Sequence, residues 1–164
     1  MINQRTIKIF IYIFIIFYSI NYIFFTYRFF SRENGFILGD WLINYSGGLA
    51  RRGLSGEMLI KFANFFNLDL INTTFIFVSI IFVLFVYYLV KLIHNSNISF
   101  LIALIIFSPA TILFNFFDPL AIGRKEIIFF LFLLIYFELR EKLYFNTLLI
   151  PISLFAMFTH ELFF

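Results

Sequence analysis

Hydrophobic residues run through this chain in five long stretches that are separated by shorter polar segments. A helix that crosses a bilayer needs about 20 mostly apolar residues, and each stretch reaches or approaches that length. Runs such as Phe75–Val90 do not alternate between polar and apolar residues, which favours helices over the strands of a barrel. The pattern therefore predicts an all-α, polytopic membrane protein with about five transmembrane helices, at Ile7–Phe30, Leu70–Ile93, Ile98–Phe117, Ile127–Leu139 and Thr147–Phe164.

The composition agrees with this prediction. The 164 residues are 63% hydrophobic, 24% aromatic and 13% charged, with a mean hydropathy of +1.00, whereas a soluble domain is about 45–50% apolar and about 25% charged. Cysteine is absent, which excludes disulfides and thiolate metal sites. The first stretch is interpreted as a retained anchor, because it is longer than a signal peptide core and no small-residue cleavage site follows it. Membrane lipid is an expected partner and nucleic acid is not.

The longest connection, residues 31–69, carries six of the seven glycines and one amphipathic segment, Leu54–Phe66. Ser55 is the predicted N-cap of a helix there, and Glu57 and Lys61 form an i,i+4 pair. The segment is either a short interfacial helix lying on the membrane or an ordinary amphipathic connector. One face carries Leu54, Met58, Phe62 and Phe65, and the other carries Glu57, Lys61 and Asn64.

Successive spans alternate in direction, so five spans place residues 31–69, residues 118–126 and the far end of the fifth span on one side, here called the motif side. That side carries seven basic residues against five on the other, which favours a cytoplasmic motif side. Arg5 and Lys8 before the first span favour the opposite orientation, so charge leaves the orientation open. The chemistry-bearing residues of the motif side are Asp40, Trp41, Arg51, Arg52, Asp118, Arg124, Lys125, Glu126, His160 and Glu161.

Two pairs of basic residues on this side are candidates for binding a phosphate. Arg51 and Arg52 are framed by glycines, which let backbone N–H groups approach an anion while the guanidinium groups bind it. Arg124 and Lys125 immediately precede a predicted helix, where the helix dipole disfavours cations, so an anionic ligand explains them better. The alternative is that all four are anchors among the lipid headgroups.

Four other residues are candidates for acid–base chemistry. Glu126 is also explained as a carboxylate favoured at a helix N-terminus. Asp40 is either a general base or the residue of an Asx-turn after Gly39. His160 and Glu161 lie in or at the end of an apolar stretch, where ionisable residues indicate function, unless the span ends there and both are hydrated. No second histidine lies on the motif side, so a histidine-based metal site is not expected and no cofactor is predicted, with a carboxylate-bound Mg²⁺ or Mn²⁺ left open.

Three motifs in order, Asn44–Glu57, Gly123–Glu126 and His160–Glu161, resemble multi-span proteins of bacterial surface-polysaccharide gene clusters. Those proteins are similar to O-antigen polymerase-like proteins and polyprenyl-phosphate-dependent membrane glycosyltransferases. The resemblance implies a multi-pass protein of the bacterial cytoplasmic membrane, with its active face outside, acting on a polyprenyl-diphosphate-linked sugar. It also implies Asp40 as the candidate base, with Glu57 and Glu126 as competitors. The diphosphate-binding residues implied by it are Arg51, Arg52, Arg124 and Lys125.

Proteins of this class have more spans than five. The 164 residues are therefore expected to be one transmembrane domain forming the N-terminal part of a longer protein, whose C-terminal half or partner subunit is missing. Three functions remain open: a glycosyltransferase or polymerase, a transporter or flippase of an anionic lipid-linked substrate, and a non-catalytic membrane subunit. The enzyme hypothesis predicts that the charged motifs meet at one site, and the subunit hypothesis predicts that they are scattered.

Overall fold

The computed structural model describes residues 3–31, 35–48, 53–98, 100–106, 108, 122–140, 147, 150, 151 and 154. Within these ranges the chain is all-helical and contains no strand. The six helices of this described part are α1 (Gln4–Ser31), α2 (Gly35–Leu42), α3 (Gly53–Phe66), α4 (Leu70–Asn95), α5 (Phe100–Ile106) and α6 (Glu126–Leu139). The prediction of an all-α chain is confirmed for these residues.

Helices α1 and α4 form an antiparallel pair at the centre of the fold. At one end the Lys8 ammonium donates a hydrogen bond to the His94 carbonyl over 2.8 Å, and at the other the rings of Tyr27 and Phe75 meet edge to face. Tyr22 stacks on Phe82 between these ends, with 3.8 Å between the ring centroids. The buried face of α1 repeats every three or four residues, as a helix packed along one stripe requires: Ile7, Ile11, Ile15, Tyr18, Tyr22, Thr26 and Phe30.

The outer faces of this pair are apolar and uncovered. Phe10 and Ile20 of α1 are 69% and 65% exposed, and Ile76 and Val83 of α4 are each 57% exposed. A helix in the core of a soluble protein buries such side chains, because apolar surface in water is unfavourable. Both helices are long and apolar enough to cross a membrane, with 28 residues in α1 and 26 in α4.

The prediction of five transmembrane helices is not supported, because only α1 and α4 reach membrane length in the described part of the chain. The fourth predicted span is α6, which has 14 residues and so extends about 21 Å at 1.5 Å per residue. The helix begins at the charged residue Glu126 and ends just before the charged residue Arg140. The third predicted span is described only at residue 98, in α5 and at residue 108, and nearly all of the fifth lies outside the described residues.

The amphipathic segment of the long connection is a helix, as predicted, and it occupies Gly53–Phe66. Ser55 is not its N-cap, because Gly53 and Leu54 before it are already helical and Ser55 is buried. The predicted Glu57–Lys61 pair is present, with 3.0 Å between the charged groups.

A three-residue turn joins α3 to α4. Asn67 adopts a positive φ of 51°, and the Leu68 N–H donates to the Ala63 carbonyl over 2.9 Å, which is the geometry of a Schellman C-cap. The Asp69 carboxylate then accepts from the Asn72 N–H over 2.8 Å, so Asp69 is the N-cap of α4. Caps of this kind satisfy backbone groups that helix ends leave unpaired.

Helix α6 packs along α4 and runs in the same direction. Lys91 of α4 forms an ion pair of 2.7 Å with Glu138 of α6, near the C-terminal ends of both helices. The N-terminus of α6 therefore lies at the end of the α1–α4 pair where α1 ends and α4 begins. This end is called the motif end, and the end with Lys8 and Lys91 is called the opposite end.

Candidate functional site

Trp41 joins two distant parts of the chain at the motif end. Its side chain is fully buried, and its indole Nε1–H donates a hydrogen bond of 2.5 Å to the Gly123 carbonyl, 82 residues away. Its ring also meets Phe77 of α4 edge to face, with 5.9 Å between the centroids. The contact places the region of Asp40 beside the segment Gly123–Glu126, as the predicted common side requires.

Gly123 is a glycine for two physical reasons. Its φ is +81°, a conformation that residues with a Cβ rarely adopt. A Cβ there would lie 3.3 Å from Thr26 of α1 and 3.4 Å from Ile37 of α2. The turn that precedes α6 is therefore fitted against both helices, and this fit fixes where the next three residues lie.

Arg124 and Glu126 form an ion pair at this turn, with 2.7 Å between the guanidinium and the carboxylate. The Arg124 guanidinium also lies 5.8 Å from the centre of the Phe36 ring, within the range of a cation–π contact. The two side chains are 33% and 14% exposed. As predicted, Glu126 is the first residue of a helix, where its charge is favourable.

Lys125 is fully buried. Its ammonium lies 5.8 Å from the centre of the Trp41 ring, so the indole face stabilises the cation. Burying an ammonium group is costly unless other groups compensate, and such buried cations are concentrated at functional positions in membrane proteins. Arg124 and Lys125, the adjacent cations that the helix dipole disfavours, are thus both stabilised by contacts within the protein.

Two glycines that frame the arginine pair have packing roles. A Cβ on Gly56 would clash with the Ile43 carbonyl, and one on Gly53 would clash with the Tyr45 ring. They allow α3 to approach the segment after α2 closely. Gly47 and Gly48 differ, because both are exposed and a Cβ at either would meet nothing within 4 Å. Gly48 has a φ of +120°, and its N–H donates to the Tyr45 carbonyl over 3.1 Å, so its role is to close a turn.

Glu57 fastens this segment to α3. Its carboxylate accepts the Tyr45 N–H over 3.3 Å in addition to its pair with Lys61. The Lys61 hydrogen bond and, next, the Tyr45 N–H hold the pKa of Glu57 below its ordinary value. The carboxylate that competed with Asp40 as a base is therefore stabilised in its charged form.

The described residues bring together four of the eight predicted site residues. Asp40, half-buried, lies within α2 next to Trp41, so the predicted Asx-turn at Asp40 is wrong. Glu126, Arg124 and Lys125 lie at the same end. Arg51, Arg52, His160 and Glu161 fall outside the described residues.

Sequence reasoning placed Trp41 on the motif side but assigned it no role. Its signal was that it is the single tryptophan of the chain and is adjacent to a candidate base. Among the described residues, no group of three acidic or histidine side chains could hold a metal ion. Two grooves lie elsewhere: one of about 460 Å³ between α3 and α4, and one of about 610 Å³ between α1 and α4 at the opposite end.

Comparison with known proteins does not assign this site. The chain matches no family model, no curated protein and no solved structure. The resemblance to polysaccharide-cluster membrane proteins therefore stays a prediction, and the geometry at the motif end is the basis for a functional proposal.

Proposed function

We propose that this chain is an integral protein of the bacterial cytoplasmic membrane that transfers or polymerises sugars carried on polyprenyl diphosphate. The observation that carries the proposal is the Trp41–Gly123 hydrogen bond. It assembles a carboxylate-bearing helix and a doubly cationic turn at one end of two membrane-length helices. A lipid-linked diphosphate presents its charge at the end of such helices and its chain alongside them.

In this proposal Asp40 removes the proton from the acceptor hydroxyl. The resulting oxygen attacks the anomeric carbon, and the bond from that carbon to the diphosphate breaks. The polyprenyl diphosphate leaves with the electron pair, and Arg124 stabilises its developing charge. Asp40 is the preferred base because the resemblance implies an acidic residue in the first external loop for this role.

Lys125 contributes to this proposal from within the protein. It is buried under Trp41 and therefore acts by positioning rather than by direct contact. Its contact with the Trp41 ring helps to position the turn that carries Arg124, the cation assigned to the diphosphate. Arg51, Arg52, His160 and Glu161 remain assigned to the same site on the resemblance alone.

A second candidate is a non-catalytic membrane subunit. The contacts of Arg124 with the Phe36 ring and of Lys125 with the Trp41 ring favour it, because both rings belong to α2 and both cations then serve to hold α6 against that helix.

A strain that lacks the gene and carries plasmid-borne variants separates the two candidates. Asp40→Asn and Arg124→Ala are compared with Arg140→Ala, which removes an exposed cation at the opposite end. The enzyme predicts that the first two variants shorten the surface polysaccharide on gels by more than any fall in their membrane protein level, measured against Arg140→Ala, accounts for. It also predicts that their membranes release less polyprenyl diphosphate from the lipid-linked sugar.

Full-length polysaccharide from Asp40→Asn and Arg124→Ala would contradict the enzyme and favour the subunit. A topology reporter inserted at Gly47, which is exposed, tests the orientation in the same strain. The proposal requires the motif end to lie outside the cytoplasm, so a cytoplasmic reporter signal would also contradict it.

A further inference from the structure

The groove between α3 and α4 lies apart from the site above and has a volume of about 460 Å³, which is in the range of small-ligand sites. Its walls are almost wholly apolar. Met58 and Phe62 of α3 line one side, and Ile76 and Ile80 of α4 line the other. These four side chains are each half or more exposed, so the groove opens to the surroundings of the protein.

The orientation of α3 shows what those surroundings are. Its charged pair, Glu57 and Lys61, lies on the opposite side of the helix from the groove, and Lys61 is 75% exposed. An amphipathic helix with this division is typical of the boundary between headgroups and acyl chains. With α3 at that boundary, the groove would begin there and follow α4, which is long and apolar enough to cross a membrane.

One polar atom of the groove wall is unexplained. The Ser55 hydroxyl is buried and has no hydrogen-bond partner in the part of the chain that the structure describes, although Ser55 lines the groove. A buried hydroxyl without a partner is energetically unfavourable. Thr73, the other hydroxyl of the wall, already donates to the Asp69 carbonyl. The Ser55 hydroxyl is therefore a donor that an acceptor group of a ligand in the groove would satisfy.

We propose that this groove binds one acyl chain of a bilayer phospholipid, whose ester carbonyl accepts a hydrogen bond from Ser55. The chain fills the space between the apolar walls, and the ester lies where α3 meets the headgroup region. The bound lipid contacts both α3 and α4 and so links the two helices at positions away from the turn that connects them. This proposal does not depend on the proposed enzymatic function.

The single tryptophan provides the test. Phe77 lines the groove, and its ring contacts Trp41, so a brominated acyl chain in the groove quenches Trp41 fluorescence. The full chain is reconstituted in phosphatidylcholine vesicles with and without bromine on the acyl chains. Ile80→Phe fills the groove, whereas Val83→Phe adds the same ring to an equally exposed position of α4 outside it.

We expect Ile80→Phe to lose most of the quenching and Val83→Phe to keep it. Equal quenching in the two variants would overturn the proposal, since the quenching would then come from the general lipid layer. Quenching by a brominated polyprenyl phosphate in vesicles of unbrominated phospholipid, but not by brominated phospholipid, would identify the carrier as the occupant and overturn it as well. Absence of all quenching would show that protein fills the groove.

A second variant tests the hydrogen bond without filling the groove. Ser55→Ala removes the hydroxyl, and Ser79→Ala removes a half-buried hydroxyl of α4 outside the groove. After extraction into detergent, phospholipid that stays with the protein is counted by native mass spectrometry. We expect Ser55→Ala to lose the retained lipid while Ser79→Ala keeps it. Retention in both variants would contradict the role of Ser55.

Discussion

The two ends of the α1–α4 pair are held together in different ways. At the opposite end the contacts are polar. Gln4 reaches Asn97 over 3.3 Å and Lys8 reaches the His94 carbonyl at exposed positions, and Lys91 pairs with Glu138 at a half-buried one. At the motif end a buried indole, a buried ammonium and a glycine turn interlock. Exposed polar contacts contribute little because water competes for the same groups. The motif end should therefore carry most of the specific stability.

Replacing Trp41 should have the largest effect. Trp41→Ala removes a fully buried side chain and should lower the free energy of unfolding by about 3–5 kcal/mol. Trp41→Phe keeps a ring but leaves the Gly123 carbonyl without its donor, which should cost about 1–3 kcal/mol. Unfolding in mixed micelles, followed by far-ultraviolet circular dichroism, measures both. Gln4→Ala, which removes an exposed hydrogen bond, is the control, and an equal loss there would contradict the comparison.

The next largest effect is expected at Gly56. A Cβ there meets the backbone of Ile43, which cannot move aside as a flexible side chain can. Gly56→Ala should therefore cost about 1–3 kcal/mol through overpacking. Gly39→Ala is the matched control, because a Cβ on Gly39 meets nothing within 4 Å. The same unfolding measurement applies, and equal stability of the two variants would exclude a tight contact between α3 and the segment after α2.

Breaking the ion pair at each end should change the stability by different amounts, and this difference should be smaller than the effects at Trp41 and Gly56. Arg124→Ala leaves the Glu126 carboxylate, 14% exposed, without its guanidinium, whereas Lys91→Ala leaves Glu138, 27% exposed, without its ammonium. The less hydrated carboxylate loses more when its partner is removed. Arg124→Ala should therefore lower the unfolding midpoint more than Lys91→Ala does. The reverse order, or two equal shifts, would show that the ends are electrostatically equivalent.

The smallest effect is a pH dependence carried by Glu57. Its pKa in the folded protein lies below the ordinary value of 4.5, so the stability that its carboxylate supplies is complete above pH 4.5. That stability is lost as the pH falls through the lowered folded pKa. Stability measured over this acid range should therefore decline less in Glu57→Gln than in the unmodified chain. Identical pH profiles would indicate that Glu57 does not hold the segment before α3.

The helices of the fold were predictable where the signal is local. The long apolar runs of α1 and α4 predicted their own ends within a few residues, and the amphipathic spacing predicted α3. The span count was not predictable from apolarity alone. Helix α6 is as apolar as the longer helices, but charged residues at positions 124–126 and 140 limit it to 14 residues.

The candidate site was predictable only in outline. Alternation of the spans brought Asp40 and Arg124 to the same side, and that grouping survives although the count of five spans does not. The burial of Lys125 and the bond from Trp41 to Gly123 depend on contacts across 82 residues, which no local pattern encodes. The packing roles of Gly53 and Gly56 could not be predicted from the sequence either. A glycine required for close packing and a glycine required for anion binding give the same sequence pattern.

The turn at Asn67–Asp69 bears on the order in which the protein can fold. All of its hydrogen bonds join residues within five positions of one another, so its formation requires no contact with a distant part of the chain. The end of α3 and the start of α4 are therefore specified together by one short segment, whereas the bond from Trp41 to Gly123 requires residues 82 positions apart to meet.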